Sequence, residues 1–294
     1  MSVEIIVVAS VAVQVPRRVA EIIVPVDPES ADHRALGVAR RLAVASGGHL
    51  TLLAVADPDD AIPDEWRTGL HELAGTLGTA RVGAKIVRSG SVADGIVSAA
   101  DDLSTAVVCM SADAAGRWRD AFDLSSSSAV VHHVHCPVVL VGPEARVPAI
   151  EDDDPIEELV AFVDTSELAD SVVEAAVEWA DVLGARLWIV EVIDPSLSVG
   201  SDDLRDSTYV ARLAAKHGRE GVDIEWEVLR GKDPATEIAR FLGDDHPLAL
   251  AILGSHGRSG WAELRLGSTC MKVARDASVP VVVMPVGRGQ KAVR

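Results

Sequence analysis

The chain has 294 residues, of which 48% are hydrophobic and only 3% aromatic, and its formal net charge is −18. This apolar content, rich in valine and alanine, excludes a disordered chain, and the length suits two domains of ordinary size. The acidic balance argues against nucleic acid or an anionic membrane as the partner, because both are themselves negatively charged.

The apolar segment near the amino terminus, residues 5–15, is too short to cross a bilayer, which needs about 20 residues, and no basic segment precedes it as in a signal peptide. We interpret residues 3–15 as an added strand or hairpin, with a membrane-surface anchor as the alternative. The scattered cysteines, Cys109, Cys136 and Cys270, form no CxxC pair and are typical of reduced core residues in a cytoplasmic protein.

Apolar runs alternate with helical patterns along the first half of the chain. Strands are predicted at residues 21–26, 49–56, 82–88, 105–110 and 137–141. The helices predicted between them span residues 30–46, 66–77, 92–103 and 125–134. In the first helix, Leu36, Ala39 and Leu42 recur at the spacing of one apolar face. Strands that alternate with helices indicate an α/β fold with a parallel sheet and right-handed crossovers.

The same order of elements recurs in the second half of the chain. Strands are predicted there at residues 159–163, 187–193, 223–229, 248–253 and 280–284, matching the first five in order. The acidic segment 151–158 contains a proline and is typical of a linker. The chain is therefore predicted to be an internal duplication of units of about 140 residues. We place the first repeat at residues 1–148 and the second at residues 149–294.

A glycine-containing pattern follows the fourth strand of the second repeat. That strand ends at Gly254, and the later members of the pattern are Gly257, Gly267, Ser268 and Thr269. Glycine lets the backbone approach an anion closely, because it has no Cβ, and the hydroxyls and free N–H groups of a new helix favour negative charge. The pattern suits a phosphate chain, although an ordinary glycine-rich turn between a strand and a helix has the same composition.

The spacing Gly-x2-Gly-x9-Gly-Ser, with a strand before it and a helix after it, resembles the nucleotide-binding signature of the universal stress protein family. The resemblance covers residues 19–287 as a tandem pair. It implies two flavodoxin-like, doubly wound parallel sheets, similar also to adenine nucleotide α-hydrolases, each with strand order 3-2-1-4-5. Ligands of such sheets bind outside the carboxyl ends of the strands, where the order reverses. That point falls between the first and fourth strands of each repeat.

The resemblance also implies roles for residues that follow the first two strands of the second repeat, as in ATP-binding members. Asp164, preceded by Val163, aligns with the acidic residue that contacts the ribose. The backbone of Val192 is expected to contact adenine. The alternative for Asp164 is a helix N-terminal cap. Phe162 departs from the family pattern, which more often has a small residue or proline there, and its bulk is expected to narrow the pocket.

The remaining implied contacts lie after the fourth strand. Leu253 and Gly254 are expected to border the ribose and the α-phosphate. The residues of the phosphate loop are Gly257, Arg258, Gly267, Ser268 and Thr269.

The first repeat has lost the glycines of this pattern. Asp27 and Val55 are retained at the positions of Asp164 and Val192. The loop positions read Ser111, Ala114, Leu124 and Ser125. Leu124 places a branched side chain where phosphate needs bare backbone. Acidic residues at 113, 120 and 123 add negative charge, so we expect this half to be a structural or regulatory partner that does not bind a triphosphate.

The resulting hypothesis is a cytoplasmic stress-response sensor or regulator that binds ATP, AMP or ADP, with or without Mg²⁺. No general base or arginine finger is evident, so at most the slow ATP hydrolysis or autophosphorylation that the resemblance implies for some members is expected. One alternative is a nucleotide-free interaction module, such as a soluble accessory of a transporter. Another is an enzyme of the adenine nucleotide α-hydrolase type, whose serine-glycine signature is missing after Asp164. His132 and Cys136 share a helix face but lack a second ligand pair, so no metal site is expected.

The last strand of each repeat is short and apolar. An exposed apolar edge invites pairing with another strand. The resemblance implies that the last strands of two domains join, so we predict an intrachain pseudo-symmetric pair. Whether two chains form a homodimer is left open by the sequence.

Overall fold

The fold is taken from a computed structural model. It describes residues 19–30, 33–78, 81–101, 103, 105–112, 124–147, 149–150, 154–166, 168–196, 203–255 and 268–285, without the side chains of residues 124–128 and 203–207. The strand or hairpin predicted at residues 3–15 lies outside these ranges.

Each half of the chain alternates strands with helices, as the apolar pattern predicts. The elements of the first half are β1 (Glu21–Pro25), α1 (Arg34–Ser46), β2 (His49–Ala56), α2 (Asp64–Thr76), β3 (Val82–Arg88), α3 (Val92–Asp101), β4 (Ala106–Ser111), α4 (Leu124–His133) and β5 (Val138–Val141). Those of the second half are β6 (Glu158–Val163), α5 (Ala169–Leu183), β7 (Arg186–Ile193), α6 (Asp203–His217), β8 (Ile224–Arg230), α7 (Pro234–Asp244), β9 (Leu250–Gly254), α8 (Ser268–Asp276) and β10 (Val281–Met284).

The strands of the described residues form one ten-stranded sheet in the order β3-β2-β1-β4-β5-β10-β9-β6-β7-β8. Each half is parallel and has the predicted order 3-2-1-4-5. The halves meet where β5 pairs antiparallel with β10, with Val283 opposite Val138 and Val281 opposite Leu140. The predicted joining of the last strands is therefore confirmed. Their apolar edges are paired, and the two sheets expected in tandem are one continuous sheet.

Helices cover both faces of this sheet. One face packs against α1, α2, α5 and α6, and the other against α3, α4, α7 and α8. Neighbouring residues of a strand point to opposite faces, so Ile22 lies in the first core and Ile23 in the second. Burial on both faces explains why the strands read as continuous apolar runs. Leu36, Ala39 and Leu42 of α1 are fully buried, as the helical spacing predicts.

The first helix begins later than the sequence pattern predicts. Asp27 Oδ1 accepts a hydrogen bond from the Glu29 backbone N–H (3.0 Å), and the Ser30 N–H donates to the Asp27 carbonyl (3.0 Å). The chain thus makes a turn directly after β1, and α1 starts at Arg34 instead of residue 30. It ends at Ser46, and the left-handed φ of 65° at the following Gly47 reverses the chain without a side-chain penalty.

Close backbone approach holds the two halves together beyond the strand pair. The Arg146 N–H, after β5, donates to the Ser278 carbonyl, after α8, at 2.7 Å. Gly142 lies so close to α8 that an added Cβ would stand 2.0 Å from the Ala274 carbonyl oxygen. Helices α1 and α5 also contact each other across the join. The two repeats therefore share one packed interior.

Candidate functional site

A crevice is positioned at the carboxyl ends of β6 and β9 by the topology of the second half. These strands are parallel neighbours, with Phe162 opposite Leu253. The chain leaves β6 into α5 on one face of the sheet, whereas the helix after β9, α8, packs on the other face. Because the two connections diverge to opposite faces, the strand order reverses at these strand ends, which is where doubly wound sheets bind ligands.

The predicted residues of these strands lie at the floor of the crevice. Val163 is 8% exposed and Leu253 is 4% exposed, and they belong to the cores on opposite faces of the sheet. Val192 is partly buried near the end of β7. The ring of Phe162 lies in the core, in an edge contact with Phe241 at a centroid distance of 6.4 Å. The side chains of Val163 and Leu253 thus support the floor, and their backbone forms its edge.

Asp164 is held in a turn directly after β6. Its Oδ1 accepts a hydrogen bond from the Ser166 backbone N–H at 3.0 Å, and its carbonyl oxygen accepts one from the Tyr209 hydroxyl at 2.8 Å. Helix α5 begins only at Ala169, after Leu168 as its N-cap. The alternative that Asp164 caps a helix is therefore wrong. Its carboxylate caps a turn and stands at the crevice.

Two residues that the sequence reasoning missed accompany Asp164. Burial, together with the negative charges of Glu191 and Asp164, raises the pKa of Tyr209 to about 12. Glu191 is itself buried, on β7 opposite Val163. Tyr209 is the only tyrosine in the chain, and Glu191 is a charge within an apolar strand. These two unusual features are the sequence signals that could have identified both residues as part of the site. Together these groups make the β6–β7 side of the crevice acidic.

The other side of the crevice is formed by the first turn of α8. This helix starts at Ser268, which is exposed, followed by the half-buried Thr269. No acidic residue lies in its first turn, and the free N–H groups of a helix start favour an anion. Gly257, Arg258 and Gly267 lie outside the described residues. The part of the predicted phosphate loop that is described, Gly254 with Ser268 and Thr269, lies at the edge of the crevice.

Cys270 ties α8 to the end of β9. Its Sγ–H donates to the Gly254 carbonyl at 3.1 Å. Burial raises the pKa of the Cys270 thiol to about 12, and the nearby negative charge of Asp164 acts in the same direction. The thiol is therefore protonated at neutral pH and is not a nucleophile. Because Cys270 lies in the first turn of α8, this effect of the charge indicates that the Asp164 carboxylate lies near the start of that helix.

The equivalent position of the first repeat is more closed. Asp27 is 8% exposed, and its Oδ2 is buried without a hydrogen-bond partner in the part of the chain that the structure describes. Val55 is 5% exposed, and Ser111 is half-buried at the end of β4. Helix α4 already includes Leu124, one position earlier than α8 begins in the second repeat. Ala114 lies outside the described residues.

Among the described residues, no three histidine, cysteine or acidic side chains are grouped so that they could hold a metal ion. His135 instead lies 3.1 Å from Asp101, and Cys136 is buried. No helix within the described ranges has the length and apolar character needed to span a membrane.

Comparison with known proteins gives the same family for both halves. The sequence profile of the Universal stress protein family matches residues 19–142 and 156–285. Universal stress protein Rv2623 of Mycobacterium tuberculosis is 28% identical over 214 residues, which span 70% of this chain and 69% of that protein.

Solved structures share the whole fold. A functionally unknown protein, PA1789 from Pseudomonas aeruginosa, is 17% identical with a TM-score of 0.65, covering 92% of this chain and 94% of its own. A universal stress protein from Archaeoglobus fulgidus is 19% identical with a TM-score of 0.62, covering 93% of this chain and 99% of its own.

Proposed function

The chain belongs to the universal stress protein family, and on that premise we propose that it binds an adenine nucleotide in its second repeat. The observation that carries the proposal is the polarity of the crevice between β6 and β9. One wall holds the carboxylate of Asp164, and the opposite wall is the start of α8 with Ser268 and Thr269.

This polarity matches the chemistry of a nucleotide. A carboxylate accepts hydrogen bonds from sugar hydroxyls, and Asp164 Oδ1 is held in place by the Ser166 N–H while Tyr209 fixes the backbone. Phosphate is repelled by Asp164 and Glu191 and attracted by the N–H groups of α8. The ribose would therefore lie against Asp164, adenine towards Val192, and the phosphates towards Gly254 and Ser268.

The ionisable side chains around the crevice favour nucleotide binding over fast turnover of the nucleotide. Burial keeps the Cys270 thiol protonated at neutral pH, and it moves the pKa of the Tyr209 hydroxyl further above neutrality. Neither is an activated nucleophile or a base. We propose a cytoplasmic sensor or regulator of the stress response, in which nucleotide occupancy is the signal and hydrolysis or autophosphorylation is slow. The first repeat would serve as its structural partner through β5 and β10.

The proposal is tested by calorimetric titration of the intact chain with ATP. Asp164→Asn removes the charge but keeps the turn, and a hydrogen bond to a charged group is worth about 1.5–3 kcal/mol, so the ATP affinity should fall at least about tenfold. The matched control is Asp27→Asn, which makes the same change in the first repeat and should leave the affinity unchanged. Equal affinity of wild type and Asp164→Asn would contradict the proposed site, as would an equal loss in both variants.

A further inference from the structure

A second cavity lies at the join of the two repeats, away from the nucleotide crevice. Its volume is about 250 Å³. The first repeat contributes residues of α1 and of the segment after β5, and the second contributes the residues that lead into β6, β9 and β10. The cavity thus meets β9 at its amino end, near Leu250, whereas the crevice meets the same strand at Gly254. Four residues of strand separate them by about 13 Å.

Two arginines give this cavity a positive charge within an acidic protein. Arg41 of α1 and Arg146 line it, and the only acidic residue among the described lining residues is Asp154. Asp154 is 85% exposed, and its Oδ2 is 3.7 Å from the Arg41 terminal nitrogen, which is longer than a hydrogen bond. The described lining residues therefore carry an excess of one positive charge.

The guanidinium of Arg41 is largely buried, and one of its nitrogens lacks a hydrogen-bond acceptor among the described residues. Its side chain is only 12% exposed, and its Nε is buried with no hydrogen-bond partner in the described part of the chain. A buried donor left unpaired is costly, and a guanidinium offers a planar fork that matches a carboxylate. Arg146, by contrast, is exposed at the rim and uses its backbone N–H to reach Ser278. An anion in the cavity would complete the hydrogen bonding of Arg41 and contact Arg146.

The rest of the wall is apolar. Val38, Val147, Ile156 and Leu250 line the cavity, and Leu248 at its edge is 69% exposed. Val38, Ile156 and Leu250 are already buried, so the apolar surface left to cover is that of Leu248 and the half-buried Val147. An inorganic ion would leave this surface in water, whereas an organic tail would cover it. The volume is below the roughly 300–1,000 Å³ that drug-sized ligands occupy, so the cavity is too small for a nucleotide.

We propose that this cavity binds a small organic carboxylate with an apolar tail, its carboxylate on Arg41 and Arg146 and its tail against Val38 and Leu248. Since the ligand would contact both repeats, it would stabilise the packing of the repeats against each other as well as the folded chain. Binding at this cavity requires no nucleotide in the crevice, so the two sites can be tested independently.

Benzoate is a suitable probe, and benzamide is its neutral counterpart of nearly equal shape. In calorimetric titrations of the intact chain, benzoate should bind with a Kd of about 1 mM or tighter, and benzamide at least about tenfold more weakly. Arg41→Met keeps the apolar stem and removes the fork, and Arg146→Gln changes an exposed side chain that does not risk the fold. Each should weaken benzoate about tenfold.

The control is Arg67→Gln, which removes the same charge from an exposed position on α2, where Arg67 pairs with Asp64. It should bind benzoate like the wild type. Methyl NMR should show benzoate shifting Val38, Val147 and Leu248 but not Val192. The proposal is overturned if benzoate fails to bind at about 10 mM, if benzamide binds equally, or if Arg146→Gln binds like the wild type. Binding of inorganic phosphate without binding of benzoate would overturn the assignment to an organic acid.

Discussion

Replacing Gly142 with alanine adds one atom, the Cβ, at the contact between the two repeats. The added Cβ would stand 2.0 Å from the carbonyl oxygen of Ala274 and 3.1 Å from its carbonyl carbon. Both are backbone atoms of α8, so no side chain can rotate away. To reach an ordinary contact of 3.4 Å, the backbones must separate by about 1.4 Å. Such a shift strains the adjacent pairing of β5 with β10.

We expect Gly142→Ala to lower the free energy of unfolding by about 2–4 kcal/mol. Overpacking costs about 1–3 kcal/mol, and a weakened hydrogen bond between the strands adds about 1 kcal/mol. The assay is urea unfolding followed by the fluorescence of the six tryptophans. Gly69→Ala is the control, because a Cβ there meets nothing within 4 Å in α2, and it should gain up to about 1 kcal/mol. A loss below about 0.5 kcal/mol in Gly142→Ala would refute the close approach of the repeats.

Three other predictions concern the second repeat. Gly267→Val should abolish ATP binding in calorimetry, because its side chain would occupy phosphate space; unchanged affinity in the folded variant would place the phosphates elsewhere. The single tyrosine, Tyr209, should ionise near pH 12 instead of near 10 in an absorbance titration. Stability should then fall as pH rises from about 10 to 12, because the unfolded chain releases that proton first. His246→Ala should cost about 2–4 kcal/mol in urea unfolding, because the buried ring packs on Phe241 and its Nδ1 lies 2.8 Å from Glu158; a loss below about 1 kcal/mol would contradict that packing.

The elements of the fold were predictable because their pattern is local. Strands buried on both faces must be apolar throughout, so continuous apolar runs identify them. Leu36, Ala39 and Leu42 recur at the helical period and mark the inner face of α1, so that period identifies the helix. The strand order followed from the family resemblance rather than from the pattern. The start of α1 was missed because the turn made by Asp27 depends on a hydrogen bond that competes with the helix.

The environment of the candidate site was less predictable, because it depends on contacts between distant residues. The glycine spacing indicates a crevice after β9, but nothing in it brings Tyr209 to the carbonyl of Asp164, 45 residues away. Cys270 was predicted only as a core residue, and its bond to Gly254 depends on how α8 packs. Arg41 and Arg146 share a cavity only because β5 and β10 join the repeats.

The most direct test of the central proposal is the number of ATP molecules bound by each chain at saturation, measured by equilibrium dialysis. Only the second repeat keeps the glycine pattern, so we predict one nucleotide per chain. A value near two would contradict the assignment of the first repeat as a structural partner. A value near zero would contradict nucleotide binding altogether.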